Sequence, residues 1–161
     1  MVNMTNRELT LSIVGAFIAT LLAFFFSMMV LQADSKSLVL ASTGASAMLL
    51  FGLPHSPVSM PWNVIGSHLV SAIVGISCYL FIPNEILASS ASIGIAMLAM
   101  HSLRCMHPPG GATAITAVIG GADVHALGYA FVIVPVFFNA IILLSIAMAV
   151  ATLREKNPFY D

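Results

Sequence analysis

The side chains able to do chemistry are concentrated in one passage, Met100-His101-Ser102-Leu103-Arg104-Cys105-Met106-His107-Pro108-Pro109-Gly110-Gly111-Ala112-Thr113-Ala114. Arg104 carries a permanent positive charge late in a long apolar run, and an arginine at the centre of a bilayer costs about 2.5 to 3.5 kcal/mol on insertion scales. Two readings offset that cost: snorkelling to the headgroups, or lining a polar pathway. Helical spacing favours the second, because His101, Arg104 and His107 recur every three residues and would share a face, a stripe suited to an anion. Pro108 and Pro109 then stop the helix, since proline lacks an N–H and disfavours helical geometry in the residue before it. Gly110 and Gly111 admit close approach to the backbone. A short helix beginning there would present free N–H groups and about half a positive elementary charge, with the Thr113 hydroxyl as a further donor. The plainer alternative is a helix cap whose glycines pack against a neighbouring helix.

An earlier passage repeats part of this one. Thr43-Gly44-Ala45-Ser46-Ala47 matches Gly110-Gly111-Ala112-Thr113-Ala114 at a separation of 67, and each leads into an aliphatic run closed by glycine, Gly52 or Gly120. Asn63 and His68 form a second cluster; His68 lies six residues into an apolar run, where an imidazole serves as a helix–helix hydrogen-bond partner or as part of a pathway. His55, Asp123 and His125 read as loop residues. Met100, His101, Cys105, Met106 and His107 would suit Cu(I), but Arg104 among them repels a cation, so copper is a distant alternative and no metal or cofactor is expected. No Asp or Glu stands within a spanning run to orient a histidine, and an enzyme is not expected.

The elements that must position these groups follow from composition. Of 161 residues 60% are hydrophobic and 7% charged, with a mean hydropathy of +1.04, against roughly 25% charged in a soluble domain. The chain is therefore expected in a bilayer. A net charge of -1 without a basic run excludes nucleic-acid binding. Cys78 and Cys105 lie in apolar stretches and read as small core residues. Residues 9–31, 62–83, 86–106 and 127–152 read as spanning helices, the last kinked at Pro135, and 38–53 and 112–119 as short apolar segments. The expected fold is an all-α integral membrane protein, four long transmembrane helices plus two short re-entrant or broken ones. It forms a single transmembrane domain over 1–161, built of two internal repeats at 9–83 and 86–152. Paired short, Gly- or Pro-interrupted segments in two halves point to a transport site. Arg7, Arg154 and Lys156 flank the ends, which puts both termini in the cytoplasm, with Lys36 and Arg104 as exceptions.

In these motifs the chain resembles the HPP family of integral membrane proteins, named for the His-Pro-Pro that here reads His107-Pro108-Pro109. The resemblance extends through Gly44-Ala45-Ser46-Ala47, Leu50-Phe51-Gly52, Pro54-His55-Ser56-Pro57, Asn63-Val64-Ile65-Gly66 and His68. Many members carry a basic residue where this chain has Trp62. The resemblance implies a small transporter, since plant relatives are associated with nitrite movement across the chloroplast envelope. The chain begins without an Arg- and Ser-rich leader, so a bacterial inner membrane is the expected home. The combined expectation is transport of a small anion, nitrite foremost, by a homo-oligomer. Arg104 would attract the ion, and N–H groups near Gly44 to Ser46 and Gly110 to Thr113 would replace part of its hydration. His107, His101 and His68 would tune the site or carry a coupled proton. The rival class is a structural or assembly membrane protein.

Overall fold

Size, more than polarity, decides which face of the first helix turns inward. The computed structural model describes residues 4–31 and 36–154, with only the backbone for 36–40; Lys156 and the polar stretch 32–35 lie outside the described residues. Helix α1, Asn6–Val30, buries Ser12, Gly15, Ala19, Ala23 and Ser27, a stripe of small residues at spacings of three and four. It turns Ile13, Phe17, Leu21, Phe25 and Met29 outward. Lipid is as apolar as leucine, so helices gain nothing by hiding large aliphatics and associate where small side chains let backbones approach. The start of α1 is fixed by a capping box, with Thr5 accepting from the Glu8 N–H while the Glu8 carboxylate accepts from the Thr5 N–H.

Helix α2 is Lys36–Gly52, α3 Pro61–Phe81, α4 Glu85–Ser102, α5 Pro109–Ile119, α6 Gly121–Leu127 and α7 Phe138–Ala151. Contacts at the two ends define the path. At one end Arg154, after α7, donates to Ser12 in α1 and to the carbonyl of Phe51 near the end of α2. There too the Trp62 indole, in the first turn of α3, donates to the Leu103 carbonyl just past α4. At the other end Leu31 packs with Ile76, Val124 and Phe131, and Cys78, Ala88 and Val118 cluster. Among the described residues the chain thus traverses the bundle in alternating directions, with α1, α2 and α3 followed by α4, then α5 with α6, then α7. The second three passes run opposite to the first three.

Four features differ from the sequence expectation. The segment 38–53 holds no proline before Pro54, so α2 is an unbroken helix of 17 residues, about 25 Å long. Helix α4 stops at Ser102, four residues short of Met106, because Leu103 leaves helical geometry and Arg104 adopts φ 52. The last pass is broken more deeply than a kink: Val134 is extended at φ -125, ψ 111, and a 3-10 segment and a π-helical turn precede α7. Pro135 cannot donate to the helix ladder and pushes its predecessor out of the helical region. His125 and Asp123 lie in α6, not in a loop, and the His125 ring stacks on Tyr79 at 3.6 Å between centroids.

Candidate functional site: a buried cluster of histidines and hydroxyls

His68 stands on the inward face of α3, 5% exposed, between α2 and α5. Its Nε2 lies 2.7 Å from the Ser46 hydroxyl of α2 and its Nδ1 lies 2.7 Å from the Thr113 hydroxyl of α5. Ser46 and Thr113 are the residues paired by the 67-residue match, and they meet on the two nitrogens of one imidazole. A second ring joins them. His107, 0% exposed, places Nε2 3.0 Å from the same Ser46 hydroxyl and Nδ1 2.6 Å from the Val58 carbonyl. The two imidazoles sit edge to face with centroids 5.4 Å apart.

The turn after α4 delivers His107 to this position. Arg104 in the left-handed region reverses the chain, Cys105 N–H closes on the Met100 carbonyl at 2.9 Å, and buried Cys105 packs against Gly66. Pro108 and Pro109 then launch α5. A Cβ on Gly110 would come within 3.0 Å of Ser71 Oγ and 3.1 Å of Ser67, so glycine here lets α5 settle on α3. Opposite His68, Asn139 of α7 is 4% exposed, donates to Ser27 at 2.8 Å and to Thr43 at 3.4 Å, and leaves its Oδ1 without a partner. Ser42, Thr43, His68, Thr113 and Asn139 enclose a cavity of ≈ 10 Å³, room for about one water.

The expected site residues divide into two groups. His68, His107, Thr113, Ser46 and Thr43 come together as described. Arg104 and His101 do not: both are exposed, and because α4 ends at Ser102 the anion stripe with His107 never forms. The snorkelling reading of Arg104 fits its position. The expected row of free N–H groups is also missing. Pro108 and Pro109 have none, the Gly110 and Gly111 N–H groups close turns onto the His107 and Pro108 carbonyls, both at 2.9 Å, and Gly44, Ala45 and Ser46 sit inside the continuous α2. Ala112 is half-buried in the first turn of α5. Asn63 spends its amide on the Pro57 carbonyl at 2.6 Å, which pins the turn before α3. The proposed copper ligands diverge, since His107 commits both nitrogens to Val58 and Ser46 while His101 faces outward. Sequence reasoning missed Asn139, although a carboxamide inside the most apolar pass was a signal in plain view.

Comparison with known proteins agrees with the fold. The family model described as HPP, transmembrane region, matches residues 1–159. Two transmembrane proteins of Dictyostelium discoideum are each 32% identical to this chain, one over 125 residues and the other over 158, which cover 75% and 95% of it. These matches take in 44% and 50% of those relatives, so the chain spans about half the length of the curated relatives it matches. No solved structure matches.

Proposed function

The chain belongs to the HPP transmembrane family, and on that premise we propose that it is a membrane transporter for a small inorganic anion, nitrite foremost, whose pathway passes the His68 cluster. One observation carries the reading: imidazoles, hydroxyls and a carboxamide with an unpartnered oxygen converge from α2, α3, α5 and α7 in the interior of an apolar bundle. Polar groups at membrane depth are expensive, and function is the default account of their presence. The cluster holds no Asp, Glu, Lys or Arg among the described residues. An anion would therefore cross with its charge balanced, which argues for movement together with a proton. The one-water cavity belongs to a closed conformation, and passage requires α7 to separate from α2 and α5 around Asn139. The same reading keeps a bacterial inner membrane, cytoplasmic termini and a homo-oligomer as its setting.

A second reading has its own observation. A Cβ on Gly75 would collide with the Ala114 carbonyl, and Gly110 rests on Ser67 and Ser71, which is how a protein built only to assemble helices would pack. Uptake of nitrite into proteoliposomes separates the two, with nitrate, chloride and Cu(I) as comparison solutes. Wild-type protein should accumulate nitrite, and Asn139→Leu should lower the rate at least about tenfold while remaining folded, because a membrane-buried hydrogen bond contributes only about 0.6 kcal/mol to stability. No uptake by folded wild type sinks the transport reading in favour of assembly, whereas uptake equal in the folded variant removes Asn139 from the pathway.

A further inference from the structure

We propose that Thr113, His68, Ser46 and His107 form a proton relay whose hydrogen-bond direction reverses when one proton enters from the cavity. The inference deepens the transport reading and rests on it for the identity of the cargo. The chain of reasoning begins at the Val58 carbonyl, which can only accept, so the His107 Nδ1 that lies 2.6 Å away carries hydrogen. Neutral His107 then has a bare Nε2, and the Ser46 hydroxyl 3.0 Å away must donate to it. Ser46 has one hydrogen, so its 2.7 Å contact with His68 Nε2 runs the other way, with the ring donating. Neutral His68 is left with a bare Nδ1, which accepts from Thr113. Donation to the Ser42 carbonyl, 3.1 Å from Ser46 Oγ, would instead set serine lone pairs against the His107 nitrogen and leave that nitrogen unsatisfied. One carbonyl thus orders the whole chain: Thr113 to His68 to Ser46 to His107 to Val58.

The order inverts when a hydronium ion in the cavity delivers a proton to Thr113 Oγ1. The threonine's own hydrogen passes to His68 Nδ1, the His68 Nε2 hydrogen passes to Ser46 Oγ, and the serine's hydrogen passes to His107 Nε2. Threonine, serine and His68 end with the proton count they began with. The hydronium is left as water and His107 has become an imidazolium. His107 now donates to Ser46, Ser46 to His68 and His68 to Thr113, so every contact is satisfied in both directions. The positive charge has moved from the cavity to His107, beside the half-exposed Val58, without any heavy atom leaving hydrogen-bond distance.

The surroundings favour a single mobile charge. No Asp, Glu, Lys or Arg occurs in 41–52, 109–119 or 138–151, the described stretches of α2, α5 and α7 packed around the pair. On α3 the other titratable groups are Cys78 and Tyr79, near its far end, and α4 offers Glu85 in its first turn and outward His101 in its last. Buried Cys105 and exposed Arg104 lie on the α4–α5 connection, exposed His55 before the 3-10 turn, and Glu8 and Arg154 at the ends of the described chain. The titratable group facing each ring most closely is the other ring.

The test is nuclear magnetic resonance of ¹⁵N-histidine-labelled full chain in nanodiscs, titrated from neutral to acidic pH, with signals assigned by loss in His68→Gln and His107→Gln. At neutral pH His107 should carry hydrogen on Nδ1 and His68 on Nε2. On acidification His107 should become doubly protonated, and His68 should switch to its Nδ1–H form at the same midpoint. Neutral His68 already in the Nδ1–H form, or two independent midpoints, overturns the relay. Ser46→Ala should abolish the His68 switch; a switch that persists overturns it equally, and if that variant fails to fold the wild-type titration decides alone. Nitrite uptake by the same purified wild-type protein, reconstituted into proteoliposomes, keeps the two ideas apart. A coupled switch without uptake overturns the transport reading, whereas uptake with independent midpoints overturns the relay.

Discussion

Arg104 combines an exposed guanidinium with a backbone at φ 52. The left-handed region costs an L-residue roughly 1–2 kcal/mol that glycine escapes. Arg104→Gly should therefore raise the thermal midpoint in detergent, by about 1 kcal/mol of stability, while Arg104→Gln should leave nitrite uptake within about twofold of wild type; a tenfold loss in the glutamine variant would restore the arginine to the pathway. Glycines give a paired forecast. Nothing lies within 4 Å of a Cβ added to Gly44, so Gly44→Ala should stabilise α2 by about 0.5–1 kcal/mol through helix propensity. Gly110→Ala pushes against Ser67 and Ser71 and should destabilise by about 1–3 kcal/mol. Thermal unfolding of the two variants side by side checks both signs.

Helices α3 and α5 pack tightly at Gly75, where a Cβ would meet the Ala114 carbonyl and, at 2.6 Å, the Ala117 methyl. Gly75→Ala must force the helices apart, and a loss of about 2–3 kcal/mol is expected, together with a widened gap at His68 visible as faster hydrogen exchange in 109–119. The long helices were legible because unbroken apolar runs of that length have few other solutions in lipid; α1 and α3 start and stop within three residues of their expected bounds. The end of α4 was not legible, since Leu103-Arg104-Cys105 carries no breaker and the left-handed turn is set by the packing of Cys105 on Gly66. For the site, the 67-residue match set Ser46 and Thr113 at corresponding positions of two similar segments, and His68 and His107 were both singled out. What no spacing rule supplies is that His68 stands between them, because that depends on how α2, α3 and α5 face each other. Arg104 drew attention by its charge but lies exposed, apart from the cluster, and Asn139 hid among aliphatics because its partners Ser27 and Thr43 lie 112 and 96 residues away.

Across the whole molecule, Arg154 fastens three helices at one end, reaching Ser12 of α1 at 2.8 Å and the Phe51 carbonyl of α2 at 3.3 Å from the end of α7. Burial draws its guanidinium below the usual value and Glu8 opposes that shift, yet an arginine stays charged throughout the neutral range. Arg154→Ala should cost about 1–2 kcal/mol, by an amount that thermal unfolding finds equal at pH 6 and pH 8; a difference between those values would show that the clasp depends on a group that titrates.

Trp62 is the chain's single tryptophan, 57% exposed, with its indole N–H on the Leu103 carbonyl at 3.1 Å and its ring beside Gly66. It therefore sits on the joint that carries Arg104, Cys105 and His107 into the bundle. The protein has in effect been labelled by nature with one fluorophore at the base of its histidine turn. Emission wavelength and quenching by lipids brominated at known depths will report the burial of that joint, and its shifts when solute or acid is added, with no dye attached and no second tryptophan to subtract.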